Sequence, residues 1–179
     1  SFKDDLVVSL NYANDHKLIA ITQSNQIYLY SPNSNVVDKI HQLNESSFET
    51  KLIVNSDNSI WLISDQDGIV LSDLNNTGVQ HVTEANGLQQ VSIESAVVDD
   101  AGNLWLSTNK GISSIDPNFS MVRNFDRDYG IDNEQFVTHS ILKARSGNIY
   151  FGSIQGVVSF TPELALNSSI EIVSPMITG

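Results

Sequence analysis

The chain has 179 residues, 40% of them apolar, so it can bury the core of an ordinary folded domain and is not a disordered segment. Nine Lys and Arg against 21 Asp and Glu leave a net charge of −12, which repels nucleic-acid backbones and anionic lipid surfaces. With no cysteine, disulfides, thiolate nucleophiles and Cys-based zinc sites are excluded, and no apolar run approaches the roughly 20 residues needed to span a bilayer. The first ten residues, SFKDDLVVSL, lack the charged head and long apolar stretch of a signal peptide, so were the parent protein exported or anchored, that address is expected outside this chain.

Short segments rich in Val, Ile, Thr and aromatics, bounded by Gly, Asn, Asp and Pro, predict strands throughout. In chain order they fall at 6–13, 18–22, 26–31 and 36–42, then at 48–55, 60–64, 69–74 and 78–83. A third set lies at 91–98, 104–108, 112–115 and 121–126, and a shorter fourth at 136–144, 149–153 and 157–161. No stretch of ten or more residues carries an apolar period of 3.6, which excludes solenoids of paired helices.

The four sets are copies of one unit. Laying Gly102-Asn103 over Gly147-Asn148 brings Trp105 over Tyr150, Gly111 over Gly156 and Pro117 over Pro162, an offset of 45 residues. Moving back 44 residues puts Trp61 under Trp105, and a fainter copy begins 42 residues earlier still, at Lys17-Leu18-Ile19-Ala20-Ile21. Four antiparallel strands repeating at this period are blades of a β-propeller, so the fold class is all-β, in four blades expected to belong to a larger propeller. The expected organisation is blades at about 1–47, 48–90, 91–135 and 136–165, followed by a linker and the first strand of a following domain at 166–179. Asp99-Asp100-Ala101-Gly102-Asn103 and Asn109-Lys110-Gly111 have the Asx and Gly content of tight turns between strands. Trp105 and Tyr150, near the start of the second strand of their blades, are placed to fill the wedge between neighbours.

GNLWLSTNKGISSID, then NFDRDYGIDNEQF, then GNIYFGSIQGVVSFTP, resembles the two-component regulator propeller repeats of bacterial sensor proteins. The matching positions are Gly102, Asn103, Leu104, Trp105, Thr108, Gly111 and Ile112, and in the last copy Tyr150, Phe151, Gly152, Phe160, Thr161 and Pro162. The resemblance implies that SSIEIVSPMITG opens an immunoglobulin-like domain. It further implies a periplasmic, ligand-sensing region of an inner-membrane receptor whose output, a histidine kinase or a diguanylate cyclase, lies outside these residues.

DRDYGIDNE, 126 to 134, has the acidic density of a calcium loop but the wrong spacing: counted from Asp126, Gly130 falls at position 5, Ile131 at 6 and Val137 at 12. A solvated loop is the better reading, and no metal or cofactor is expected. His16, His41, His81 and His139 have no companion at metal-ligand spacing, there is no Gly-x-Ser-x-Gly elbow, and the chain is read as non-enzymatic. In a four-stranded meander the second-to-third connections and the inter-blade loops share one end. That end gathers Asn86, Asn109, Lys110, Arg127, Tyr129, Glu134 and Gln155, whose amides and charges suit a polar ligand such as an oligosaccharide. A protein-interaction scaffold without a small ligand is the alternative. An arc of four blades also leaves an apolar face at each end, so a homodimer through the terminal blades, ring-like when joined head to tail, is expected over a closed four-bladed monomer.

Overall fold

The structure is a computed structural model that describes residues 5–12, 16–24, 26–42, 51–54, 59–64, 68–73, 79–82, 84–88, 92–118, 120–131 and 135–167. Among the described residues, fifteen strands form four antiparallel sheets. The first holds β1 (Val7–Tyr12), β2 (Leu18–Thr22), β3 (Gln26–Ser31) and β4 (Val36–Gln42); the second β5 (Lys51–Val54), β6 (Ser59–Ser64), β7 (Gly68–Asp73) and β8 (Val79–Val82). The third holds β9 (Ile93–Val98), β10 (Leu104–Thr108), β11 (Gly111–Ile115) and β12 (Val122–Phe125), and the fourth β13 (Phe136–Lys143), β14 (Ile149–Ser153) and β15 (Gly156–Phe160). Each sheet is a meander of sequence-adjacent strands, which is the blade architecture expected from the repeat.

The chain divides into two compact units, Ser1–Thr83 and Glu84–Gly179. In the first unit, Ile19, Ile21, Ile27 and Leu29 are buried in the first sheet, and Trp61, Ile63 and Val82 in the second. In the second unit the core is one continuous cluster shared by two blades: Trp105, Ile112 and Phe125 from the third sheet meet Ile149, Phe151, Val158 and Phe160 from the fourth. The Trp105 ring lies 5.5 Å from that of Phe125 and 4.6 Å from that of Phe160, centroid to centroid, and Phe160 continues to Phe151 at 6.2 Å. Aromatic pairs at such distances contribute roughly 0.5–1.5 kcal/mol each beyond the area they bury. The first strands of these blades are also tied, through Thr138 donating to Glu94 and Ser95 Oγ donating to the Val137 carbonyl at 3.4 Å.

Gly111 shows why the position that closes the turn between β10 and β11 admits no side chain. Its φ is +137°, and a Cβ there would sit 2.3 Å from the Phe125 carbonyl oxygen, on the neighbouring strand β12. Gly111→Ala is therefore expected to lower stability by about 2–4 kcal/mol through backbone strain and overpacking. A urea titration in which the variant matches the parent within its error would contradict this close approach.

The last blade ends in a helix that the strand pattern did not announce, α1 (Pro162–Asn167). Proline suits the first helical position because its missing N–H has no intrahelical partner there. The Ala165 amide donates to the Thr161 carbonyl at 3.0 Å, and Pro162 and Ala165 are buried. Arg123 of β12 donates to the Leu166 carbonyl, fastening the end of the helix to the preceding blade. Six residues are too few for a helical period to be legible, and the linker expected from residue 166 begins inside this helix. The expected strand within 166–179 lies outside the described residues.

Candidate functional site

At one end of the second unit, the β10–β11 turn carries Asn109 and Lys110, and the β14–β15 turn carries Ile154 and Gln155. The two turns are built alike. The Thr108 hydroxyl donates to the Gly111 carbonyl at 3.0 Å and accepts from the Lys110 amide at 3.1 Å. In the fourth sheet the Ser153 hydroxyl donates to the Gly156 carbonyl at 3.4 Å and accepts from the Gln155 amide at 3.2 Å. A hydroxyl-braced turn of this kind projects its two central side chains into solvent, and Asn109, Lys110, Ile154 and Gln155 are all exposed.

The loop from β12 to β13 returns to the same end. Asp126 caps a single 3-10 turn, Arg127–Tyr129, by accepting from the Asp128 amide at 3.1 Å, and Gly130 closes it at φ 81°. The acidic density in this loop thus serves a backbone cap through Asp126. Arg127 is exposed, whereas Tyr129 is half-buried, its ring edge-on to Phe125 at 5.1 Å. The exposed Asn86 stands in a second 3-10 turn, and the Gly87 carbonyl beside it accepts from Asn124 Nδ2 at 3.3 Å.

Of the sequence-predicted residues, Asn86, Asn109, Lys110, Arg127, Tyr129 and Gln155 thus belong to loops of one end, with Tyr129 serving partly as core. Glu134 lies outside the described residues.

The opposite end holds what sequence reasoning missed. Asp99, only 6% exposed, is the hub of the β9–β10 turn. Its Oδ1 accepts from the amides of Ala101 and Asn103, each at 2.9 Å, while Oδ2 accepts from Asn103 Nδ2 at 2.8 Å and from the Trp105 indole at 2.9 Å. Asp100 next to it is 77% exposed and pairs with Lys143 at 2.8 Å, a surface bridge worth at most about 1 kcal/mol. A usable signal was available in the sequence, because an indole bound for the core needs an acceptor and Asp99 stands six residues before Trp105.

Beside this hub lies a groove of about 470 Å³ between Asp100, Asn103, Gly147, Thr161, Glu163 and Leu166, and next to it a smaller one of about 220 Å³ reaching Asp116 and Arg123. Among the described residues no cluster of three or more His, Asp or Glu could hold a metal ion.

No family model matches the chain. Histidine kinase P4 of Formosa agariphila is 33% identical over 91 residues, which are 50% of this chain and 6% of that protein. A solved extracellular domain from B. thetaiotaomicron, described as that of a hybrid two-component system, matches 91% of this chain with a TM-score of 0.71 at 26% identity. This chain is similar to extracellular domains of two-component proteins. A second such domain from the same organism matches 96% of the chain with a TM-score of 0.70 at 18% identity. The chain spans only 22% and 24% of the length of these two domains. The resemblance to two-component propeller repeats and the extracytoplasmic setting it implies agree with these likenesses. No helix among the described residues is long and apolar enough to cross a membrane.

Proposed function

We propose that this chain is a non-catalytic, ligand-sensing part of a bacterial receptor, and that its ligand is polar, a saccharide being the first class to test. The observation that carries the reading is the gathering of Asn86, Asn109, Lys110, Arg127 and Gln155 on loops of one end of two blades that share a rigid core. Amide and cationic groups held by braced turns offer paired donors and acceptors, which hydroxyl-rich ligands require, with little reorganisation on binding. The likeness to a histidine kinase supports a kinase as the output module, over a diguanylate cyclase.

A thermal-shift panel of oligosaccharides and other polar metabolites tests the reading. Melting temperature should rise with ligand concentration for at least one class, as mass action requires for a ligand that binds only the folded state. Lys110→Ala and Arg127→Ala should each cut that response about tenfold in affinity while leaving the unliganded melting temperature unchanged. Asp100→Ala at the other end should leave the response intact. Silence across the panel favours the interaction-scaffold alternative. A response that instead follows Asn103 and Glu163 would move the site to the groove beside α1.

A further inference from the structure

The first strand of a blade does not pair evenly with the second. Between β9 and β10 the register passes from Ile93 opposite Thr108 to Ser95 opposite Ser107, which leaves Glu94 as an extra residue. Between β1 and β2 it passes from Val7 opposite Thr22 to Ser9 opposite Ile21, again with one residue extra. The fourth blade departs from this. There Phe136 pairs with Ser153 and Ile141 with Phe151, so the four residues from Val137 to Ser140 stand opposite Gly152 alone. A bulge re-aims the side chains of its strand, and bulges gather beside binding and catalytic sites.

The larger bulge is built by residues of these two blades. His139 within it has φ 61°, a left-handed conformation that strains a residue with a side chain. Gly152 stands where the third blade has Ser107, 45 residues earlier, and a Cβ there would lie 2.0 Å from Ser140 Oγ. The bulge therefore needs a glycine on the neighbouring strand to take in Ser140. Ser95 Oγ donates to the Val137 carbonyl at 3.4 Å, and the Thr138 hydroxyl donates to Glu94, the extra residue of β9. Bulge thus meets bulge across the two blades, and His139, next in line, is exposed.

Both bulges lie at the end that carries the candidate site. The Asn109 amide donates to the Ser92 carbonyl at 3.2 Å and the Ile154 amide to the Gln135 carbonyl at 3.0 Å. The starts of β9 and β13 therefore adjoin the turns that bear Lys110 and Gln155. Building on the saccharide-sensing function above, we propose that Glu94, Thr138 and His139 form the inner part of that site and take the hydroxyls of one sugar unit. A carboxylate accepts, a threonine hydroxyl that donates to Glu94 keeps lone pairs with which to accept, and an imidazole both donates and accepts. Adjacent sugar hydroxyls need that mixture. Groups carried on paired strands are also held more firmly than groups on loop tips, so less order is lost on binding.

NMR of the histidine rings during titration with maltotriose, xylotriose and cellotriose tests the assignment. The chain has four histidines, and His139→Gly identifies the ring of His139 by its disappearance. At least one of the three sugars should shift that ring. His139→Gly and Glu94→Gln should each weaken binding of that sugar about tenfold, as loss of a hydrogen bond to a charged or well-placed group does. Glycine takes φ 61° freely, so His139→Gly should melt no lower than the parent without sugar. His139→Asn tolerates the same conformation and keeps a donor and an acceptor, so it should retain part of the affinity. Thr138→Val serves should Glu94→Gln fail to fold. If His139→Gly and Glu94→Gln bind as the parent does while Lys110→Ala and Arg127→Ala lose the sugar, the loops alone form the site. This assignment then falls and the sensing function stands. If none of the three sugars shifts a ring or the melting temperature, the assignment and the saccharide reading fall together.

Discussion

Trp105→Ala is expected to cost about 3–5 kcal/mol, the range for truncating a buried aromatic side chain. The indole is fully buried between two sheets, in contact with Phe125 on its own blade and Phe160 on the next, so truncation opens a cavity at the joint where the second unit is held together. It also removes a donor from Asp99, whose carboxylate is itself buried and loses one of its four partners. Trp105→Phe separates the two effects. The phenyl ring keeps part of the packing but offers no N–H, and about 1–3 kcal/mol should be lost. Trp61 is equally buried in the second sheet, and Trp61→Ala should fall in the same range. Urea midpoints with an unchanged slope would report these as losses of stability. A cost below about 1 kcal/mol at Trp105 would mean that the ring does not fill the space between the sheets.

The blades were legible because their signals are local. Hydroxyl-x-x-Gly at Thr108 to Gly111 and at Ser153 to Gly156 marks two-residue hairpins, and these fix the register of the strands on either side. The sequence reading began β11 and β15 one residue late, since it counted Gly111 and Gly156 as turn residues. In the structure they pair with Thr108 and Ser153 and close the ladders. The meander likewise makes it legible which loops share an end, because that follows from strand order alone. Asp99 and Asp100 looked interchangeable as turn formers. One is the buried hub and the other a surface partner of Lys143, and the direction of the chain through the turn decides which. Tyr129 read as a loop residue because its packing on Phe125 depends on the 3-10 turn, whose cap at Asp126 reads from sequence as one more acidic group.

Removing the hub should reveal what it is for. Asp99→Ala leaves the Trp105 indole, the Asn103 side chain and the amides of Ala101 and Asn103 without their acceptor. Buried donors stripped of partners cost about 1–3 kcal/mol each, and the groups nearest the surface recover water, so a net loss of about 3–4 kcal/mol is expected. Asp99→Asn should cost about 2 kcal/mol, since one oxygen still serves the turn while the new amide nitrogen faces a donor. The fourth blade shows that the turn itself does not require the carboxylate. There Ala144 stands in the place of Asp99, and its amide donates to the Asn148 carbonyl at 2.9 Å, as that of Asp99 does to Asn103 at 3.0 Å. The same blade has Tyr150 in place of Trp105 and so no indole to satisfy, whereas the second blade keeps Trp61 and has Asn55, whose amide also carries an acceptor oxygen, six residues before it. Asp99 is therefore expected to serve the tryptophan as well as the turn. A double-mutant cycle tests this: in a Trp105→Phe background, Asp99→Ala should cost at least about 1 kcal/mol less than in the parent, because residues joined by a buried hydrogen bond do not contribute additively. Strict additivity would show instead that the carboxylate serves the turn alone.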